Sequence, residues 1–313
     1  MTEARPLPSR GAGALALVLA GFLFGSTFLV VQDAVDRAAV VPFLAARFLV
    51  GALVLWPLAR RRPSTPGVAR DGVLAGLSLL VGYLFQTFGL RSTDSSTSAF
   101  ITYLLVVMVP LMGVVRFRRL PGPNVAVGVV LAVSGLFLLS GGVTGIGRGE
   151  LLTVGAALCF ALHIVILGEV SGRHDAVRLT MWQALTVGVA CLVPGAFAPG
   201  GYSFDAGVWA AVAFTGVGAT ALAFWCMAWA QQVVPESQAA IILLLEPVSA
   251  GVLGVLVGED LGWSGAAGAA LILVAVVVAE LGGRDHRPDA LGAELAVVPN
   301  PPTSSWRDPS PDG

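Results

Sequence analysis

The sequence predicts an all-α integral membrane protein in which ten transmembrane helices form two inverted five-helix repeats. Three observations lead to this prediction: an apolar composition, ten separate apolar stretches, and two halves that resemble each other. The chain has 313 residues, of which 56% are hydrophobic and 12% are charged, and its mean hydropathy is +0.84. Soluble proteins are about 45–50% apolar and about 25% charged, so a water-soluble enzyme fits this composition poorly.

The charged residues argue against nucleic-acid binding and against lysine-dependent chemistry. The 18 basic and 19 acidic residues give a net charge of −1, so no overall field attracts nucleic acid and no nucleic-acid partner is expected. All 18 basic residues are arginine, which removes Schiff-base and P-loop lysine chemistry. The sequence shows no nucleotide-binding, metal-ligand or hydrolase motif, so no cofactor and no metal are expected.

Ten apolar stretches are long enough, or nearly so, to cross a bilayer. A hydrocarbon core of about 30 Å needs about 20 apolar helical residues, because lipid offers the backbone no hydrogen-bond partners. The predicted spans lie near residues 11–32, 40–59, 72–90, 96–115, 125–141, 150–170, 177–198, 207–230, 237–257 and 263–282. The first could pass for a signal peptide, but its apolar run exceeds a typical h-region of about 7–15 residues.

These spans divide the chain into four parts. They are a cytoplasmic N-terminal tail at 1–10, a first repeat at 11–141, a second repeat at 149–283 and a C-terminal tail at 284–313. The C-terminal tail combines charge, proline and serine with little apolar material, so it is predicted to be disordered.

The arginines predict the orientation, because short loops rich in arginine stay in the cytoplasm. With the N-terminus inside, only Arg37, Arg91 and Arg148 fall in outer loops, whereas fourteen arginines fall on the inner side. We therefore expect a multi-pass protein of the cell (inner) membrane with both termini in the cytoplasm.

The two halves of the chain follow one pattern. Residues 98–139 and 238–278 each place a proline, Pro110 or Pro247, within an apolar helix that is followed by a short polar break and a Gly-led apolar helix. Since five spans is an odd number, the second half must enter the membrane upside down relative to the first. Inverted repeats are typical of secondary transporters, whose binding sites lie near the bilayer midplane.

Several short stretches carry a resemblance to a known family. They are Gly25-Ser26-Thr27, Ala46-Arg47-Phe48-Leu49, Phe85 through Thr93, Tyr103 through Pro110, Glu246-Pro247-Val248 and Gly258-Glu259-Asp260-Leu261. In this order, across residues 11–282, the sequence resembles the EamA-like members of the drug/metabolite transporter superfamily. The resemblance implies a cavity lined by the first four helices of each half, with the fifth and tenth helices peripheral. It also implies export of amino acids, metabolites or toxic amphiphiles.

One departure from the family pattern concerns acidic residues. The family's acidic residue after the proline-containing helix is present in the second half as Glu259, whereas the first half carries arginines there, Arg116, Arg118 and Arg119. A role that needs a symmetric pair of carboxylates is therefore in doubt, and Glu259 is assigned a structural or gating role.

Glu246 is the clearest candidate for a functional residue. It lies near the middle of the run 239–257, in which nothing else is charged. Charged side chains at that depth face the protein interior or a wet cavity. Pro247 cannot donate to the carbonyl of Leu243, which predicts a kink. Glu246 suits proton coupling or a cationic substrate, while the alternative is a structural glutamate bonded to neighbouring helices.

Other polar residues within the spans are weaker candidates. Arg47 lies early in the second span, where anchoring at the headgroups or pairing with Asp33 or Asp94 is favoured over substrate contact. His163 could switch its charge near neutral pH, or simply pack. Six further polar or aromatic residues are candidates for the pathway, with helix packing as the alternative role: Ser26, Gln86, Tyr103, Trp182, Gln183 and Trp225. Pro110 is expected to shape its helix as Pro247 does.

The sequence therefore predicts a carrier, not an enzyme, for a small organic solute, with protons as a candidate coupling ion. An apolar, aromatic wall with one buried carboxylate suits a neutral or cationic solute better than a phosphate ester, which would need deep arginines. Two alternatives remain: an integral-membrane enzyme acting on a lipid-linked substrate, and a helper subunit without its own flux. A monomer and a homodimer are both compatible with the sequence.

Overall fold

The computed structural model describes residues 7–90, 92, 95–117, 121–140, 147–256 and 262–282, and this part of the chain contains α-helices and no β-strand. The helices are α1 Arg10–Arg37, α2 Val40–Arg60, α3 Val68–Leu90, α4 Ser95–Tyr103, α5 Leu105–Phe117, α6 Pro123–Ser140, α7 Arg148–Val170, α8 Ala176–Ala196, α9 Ala206–Thr215, α10 Phe224–Ala230, α11 Glu236–Leu243, α12 Leu245–Leu256 and α13 Gly262–Gly282. Glu259 and the tail 284–313 lie outside the described residues.

Eight helical stretches among the described residues are long and apolar enough to cross a membrane. They are Arg10–Thr27, Val40–Arg60, Val68–Gly89, Arg148–Arg173, Ala176–Ala196, Ala206–Ala230, Glu236–Leu253 and Gly262–Ala279. The predicted spans 96–115 and 125–141 correspond to shorter apolar helices, Phe100–Val115 and Pro123–Leu139. By length and composition the chain is a multi-pass, all-helical membrane protein.

Three of the predicted spans are interrupted within the apolar region. The fourth breaks at Leu104, between α4 and α5, and the ninth breaks at Leu244, between α11 and α12. At the second break the Leu244 amide donates a hydrogen bond to the Ile241 carbonyl, with the two atoms 3.1 Å apart. The neighbouring Leu243 carbonyl receives no helical hydrogen bond from Pro247, because proline has no amide proton. The eighth span contains a wide turn of π-helix, Gly216–Ala223, between α9 and α10.

Side-chain caps fix where several helices begin. The Ser9 hydroxyl accepts from the amide of Ala12 at the start of α1. The Asp175 carboxylate accepts from the first amides of α8, and the Asp205 carboxylate accepts from Val208 at the start of α9. Such caps satisfy amides that have no partner within the helix, which typically contributes about 1 kcal/mol each.

The helices of the first half pack mainly against helices of the second half. The most extensive contacts join α2 to α8, α3 to α7 and α8, α1 to α12, and α6 to α13. Glycines allow several of these approaches. Cβ atoms at Gly51 and Gly76 would lie 2.6 Å from Thr220 Cγ2 and 2.7 Å from Thr186 Cβ. Close backbone approach through small residues is the usual way in which membrane helices associate, and here it encloses a cavity between the two halves.

Candidate functional site

The interior of the helix bundle contains a cavity of about 430 Å³. Its wall comes from α1, α2, α3, α4, the start of α5, α7, α10, α11 and the start of α12, so both halves contribute. Among the residues that the structure describes, none from α6 or α13 lines the cavity; these helices are the fifth and tenth spans of the sequence prediction. Helix α8 also contributes none, although the family resemblance implied that all of the first four helices in each half would do so.

Residues beside two of the helix interruptions line this cavity. Tyr103 is the last residue of α4, just before the break at Leu104, and Glu246 is the second residue of α12, just after the break at Leu244. Both line the cavity, and the Tyr103 hydroxyl lies near the Glu246 carboxyl group. Interrupted helices at binding sites are a recurring feature of secondary transporters.

Arg47 is the cationic counterpart of Glu246 in the cavity wall. Its side chain is only 4% exposed, its Nε donates to the Thr220 hydroxyl at 3.1 Å, and its guanidinium lies 5.6 Å from the Tyr83 ring centre. It attracts Glu246 electrostatically, but among the described ion pairs none joins the two side chains within 4 Å.

This placement corrects the expectation that Arg47 anchors at the headgroups. Asp33, one of its two proposed partners, instead pairs with Arg37, and Asp94, the other, lies outside the described residues. The reason is helix packing: α2 lies against α8 and the π-helical turn, so Arg47 turns inward. The sequence could not reveal which face of α2 is buried.

The His163 ring lines the cavity and contacts Gln183 of the neighbouring helix α8. It is 2% exposed and lines the cavity from α7. Its Nε2 lies 2.7 Å from Oε1 of Gln183, and its ring meets Phe224 edge-on at 5.7 Å. Because an amide oxygen only accepts, this contact places the proton on Nε2. Gln183 is therefore a supporting residue on α8 and not part of the wall.

The rest of the wall is aromatic and weakly polar. Tyr83 meets Phe48 and Phe160 edge-on, with ring centres 5.3 Å apart in both cases. On the neighbouring surface Gln86 Nε2 lies 3.5 Å from the Thr102 hydroxyl. A solute in the cavity would therefore meet aromatic faces, a few hydroxyl and amide groups, and the side chains of Asp36, Arg47 and Glu246.

Four of the predicted pathway residues do not line the cavity: Gln183, described above, and Ser26, Trp182 and Trp225. The Ser26 hydroxyl donates to the Leu23 carbonyl of its own helix at 2.8 Å. Trp182 lies on α8, where its Cβ occupies the space beside Gly72. Trp225 stacks on Trp229, with ring centres 5.9 Å apart, and packs against a cluster that includes Trp182.

The two prolines lie within helices and do not line the cavity. Pro110 lies inside α5, and Pro247 follows Glu246 in α12. Neither is a lining residue.

Some lining residues were missed by the sequence reasoning. Thr27, Tyr83, Ser98 and Thr102 all face the cavity. The signal for Thr27 was available, since Phe24, Thr27, Val31 and Val35 recur at helical spacing on one face of α1. The sequence gives no reason to favour that face over the others, because α1 is apolar almost all round.

The cavity reaches the surface at one end of the protein. Its wall extends along α1 to Val35 and to the exposed Asp36, and we call this the open end. Nearby, Arg37 bridges α1 to Asp205 before α9, with Nη1 to Oδ2 at 2.9 Å. The Val208 amide and the Arg37 guanidinium hold the pKa of Asp205 below its ordinary value.

The opposite end, where α1 begins and α2 ends, is tied together by contacts between the halves. We call it the closed end. Arg10 Nη2 donates to Gln238 Oε1 at 2.6 Å, and Arg178 Nε donates to the Arg62 carbonyl at 2.9 Å. Buried His174 bridges Thr65 and Asp71, with its Nε2 at 2.8 Å from the Asp71 carboxylate. The structure thus has one accessible end and one sealed end.

The model of the EamA-like transporter family matches residues 11–141 and again residues 147–280. An uncharacterized transporter of Archaeoglobus fulgidus is 30% identical over 268 residues, covering 85% of each chain. A second one from that organism is 27% identical over 270 residues, covering 85% of this chain and 96% of its own. A solved crystal structure shares the fold, with a TM-score of 0.72 at 22% identity over 88% of this chain and 99% of that one.

Proposed function

The chain belongs to the EamA-like transporter family, and we propose that it is a secondary transporter that moves a small organic solute through the central cavity by alternating access. The observation that carries this proposal is the cavity itself, which is open at one end, sealed at the other and lined by both halves of the chain. In alternating access, the contacts of the closed end would break while others form at the open end. The solute passes unchanged, without a catalytic step.

The charges in the wall suggest the chemistry of the solute. Arg47 suits a carboxylate, since guanidinium groups bind carboxylates through paired hydrogen bonds. Glu246 suits an ammonium group, and the aromatic wall suits an apolar body. A cavity of about 430 Å³ falls within the usual range for small-molecule sites, about 300–1,000 Å³. We therefore favour a solute that carries both charges, such as an amino acid, over a purely cationic one.

The topology and direction belong to the same proposal. We propose ten crossings in two inverted repeats, residues 11–141 and 149–283, with both termini in the cytoplasm of the inner membrane. The open end would then face outward and the closed end would face the cytoplasm. Transport would be export, as a monomer or a homodimer, with protons as the coupling ion through Glu246. The arginine distribution supports this orientation.

A liposome assay tests the proposal. Purified protein is reconstituted, and uptake of labelled amino acids, amines and carboxylates is measured with and without a pH gradient. We expect flux of a zwitterion. Glu246→Gln should lower it at least tenfold, because charge-assisted hydrogen bonds contribute about 1.5–3 kcal/mol. Glu150→Gln, which changes a glutamate that caps the start of α7, is the matched control and should keep full flux.

The same assay separates the alternatives. Formation of a product would indicate an enzyme, and the absence of flux for the whole panel would indicate a helper subunit. Flux that depends on neither Glu246 nor pH would contradict the coupling role. A topology test by cysteine labelling accompanies it: labelling of the two termini from opposite sides of the membrane would contradict the inverted repeat.

A further inference from the structure

Two segments at the closed end carry a concentration of positive charge. Helix α2 ends at Arg60, α3 begins at Val68, α7 ends at Val170 and α8 begins at Ala176, so the ends of four membrane helices meet here. Side chains at such ends lie at the depth of the lipid headgroups. Residues 56–71 and 171–178 contain six arginines, which we call the arginine cluster: Arg60, Arg61, Arg62, Arg70, Arg173 and Arg178.

The acids within these two segments do not balance this charge. They are Asp71 and Asp175, which are 4% and 3% exposed. The Asp175 carboxylate accepts from the first amides of α8, as its cap. Among the described ion pairs, Asp71 is the acid that contacts Arg70 and Arg173.

Asp71 is shared among three donors. His174 Nε2 lies 2.8 Å from it, Arg70 Nη2 lies 3.1 Å away, and Arg173 Nη2 lies 3.9 Å away. One carboxylate cannot neutralise two guanidinium groups. The side chains of Arg70 and Arg173 are 77% and 59% exposed, so most of their donors face outward at the headgroup level.

An apolar surface adjoins the cluster. Trp56 lies one turn before Arg60 on α2 and is 42% exposed, and its ring centre is 4.7 Å from the Arg60 guanidinium. Leu53 and Leu58 on the same helix are 72% and 50% exposed. An exposed tryptophan between apolar side chains and arginine is typical of the membrane interface, where one part of a ligand is apolar and the other is charged.

We propose that the arginine cluster binds the headgroup of an anionic phospholipid. Arg70 and Arg173 contact the phosphate oxygens, to which arginine donates paired hydrogen bonds. Trp56 and Leu53, one turn apart on α2, lie along an acyl chain. The lipid supplies negative charge that the two acids of these segments do not provide for six arginines.

Lipid binding by the purified full chain tests this proposal. The protein in detergent is titrated with phosphatidylglycerol or with phosphatidylcholine of the same acyl chains, and bound lipid is counted by native mass spectrometry. The wild type should prefer phosphatidylglycerol. The double variant Arg70→Gln, Arg173→Gln should lose about fivefold in affinity per arginine, about 30-fold together. Arg148→Gln, at an exposed arginine that begins α7 at the other end, should bind as the wild type does.

Each other result would overturn the proposal. Equal binding of the two lipids by the wild type, unchanged binding by the double variant, or an equal loss in Arg148→Gln would each contradict a site at this cluster. Displacement of phosphatidylglycerol by inorganic phosphate would indicate a site for free phosphate. Should the double variant fail to fold, Arg173→Gln alone leaves the bond between His174 and Asp71 in place and should still lose about fivefold.

Discussion

Replacing Gly25 with alanine tests whether the close approach of α1 and α12 sets the position of Glu246. A Cβ atom at Gly25 would lie 2.7 Å from Ser249 Cβ and 3.1 Å from the Ala250 amide, and nearer still to the Glu246 carbonyl oxygen. Carbon atoms pack at about 3.5–4.0 Å, so the helices would have to separate by about 1 Å. The nearest atoms are mostly backbone, which cannot rotate away.

The expected magnitude follows from two opposing effects. Overpacking of this kind costs about 1–3 kcal/mol, whereas alanine gains up to about 1 kcal/mol over glycine in helix propensity. We expect a net destabilisation of about 1–2 kcal/mol. We also expect a loss of flux, because the displaced atoms include the Glu246 carbonyl and the turn beside the Leu244 interruption.

Gly11→Ala is the matched control, since Gly11 lies in the same helix and a Cβ there would meet nothing within 4 Å. Both variants are heated in detergent, and the folded fraction is followed by size-exclusion chromatography. Flux is measured in liposomes. Gly25→Ala should unfold at a lower temperature than the wild type, and Gly11→Ala should not. If Gly25→Ala were as stable and as active as the wild type, the argument from helix contact would be refuted.

Three further predictions concern residues around the cavity. Because the Val208 amide and Arg37 lower the pKa of Asp205 in the folded protein, these contacts contribute stability above the unfolded pKa of about 3.9. They lose that contribution as the pH falls through the lower folded value. The thermal stability of Asp205→Asn should therefore fall below that of the wild type at pH 7, and the two should converge in acid. Gln183→Leu should destabilise the protein by about 1–3 kcal/mol, because it leaves buried His163 without its partner, and equal denaturation temperatures would contradict this. Ser26→Ala should keep full flux, and a marked loss would place that hydroxyl in the pathway.

The sequence was sufficient for the helical class and for one central residue. An apolar composition and stretches of about 20 residues define a membrane protein, because the backbone in lipid must satisfy its own hydrogen bonds. Glu246 was identified because a single carboxylate within an apolar span is unfavourable in lipid and therefore faces the protein interior or a wet cavity. Both arguments use properties that do not depend on which helix packs against which.

The predicted residue roles that the structure did not match depended on how each helix is rotated about its own axis. From the sequence, Trp182 and Gln183 are candidates for the pathway. In the structure, however, α8 packs closely against α3 at Gly72 and Gly76 and does not line the cavity. Arg47 looks like an interfacial anchor, yet α2 turns it toward Tyr83. Apolar helices carry little amphipathic signal, so the buried face of each one cannot be read from its own residues.

By itself, the sequence determined that this chain crosses a membrane as a bundle of apolar helices. It also determined which few polar side chains must be buried away from lipid. Only the tertiary structure decided that Arg47, Tyr103, His163 and Glu246 surround one cavity, and that this cavity is accessible from one end. The physical reason is that transfer into lipid depends on the composition of each helix separately, whereas the meeting of these side chains depends on contacts between distant segments, fixed by small residues at the crossings.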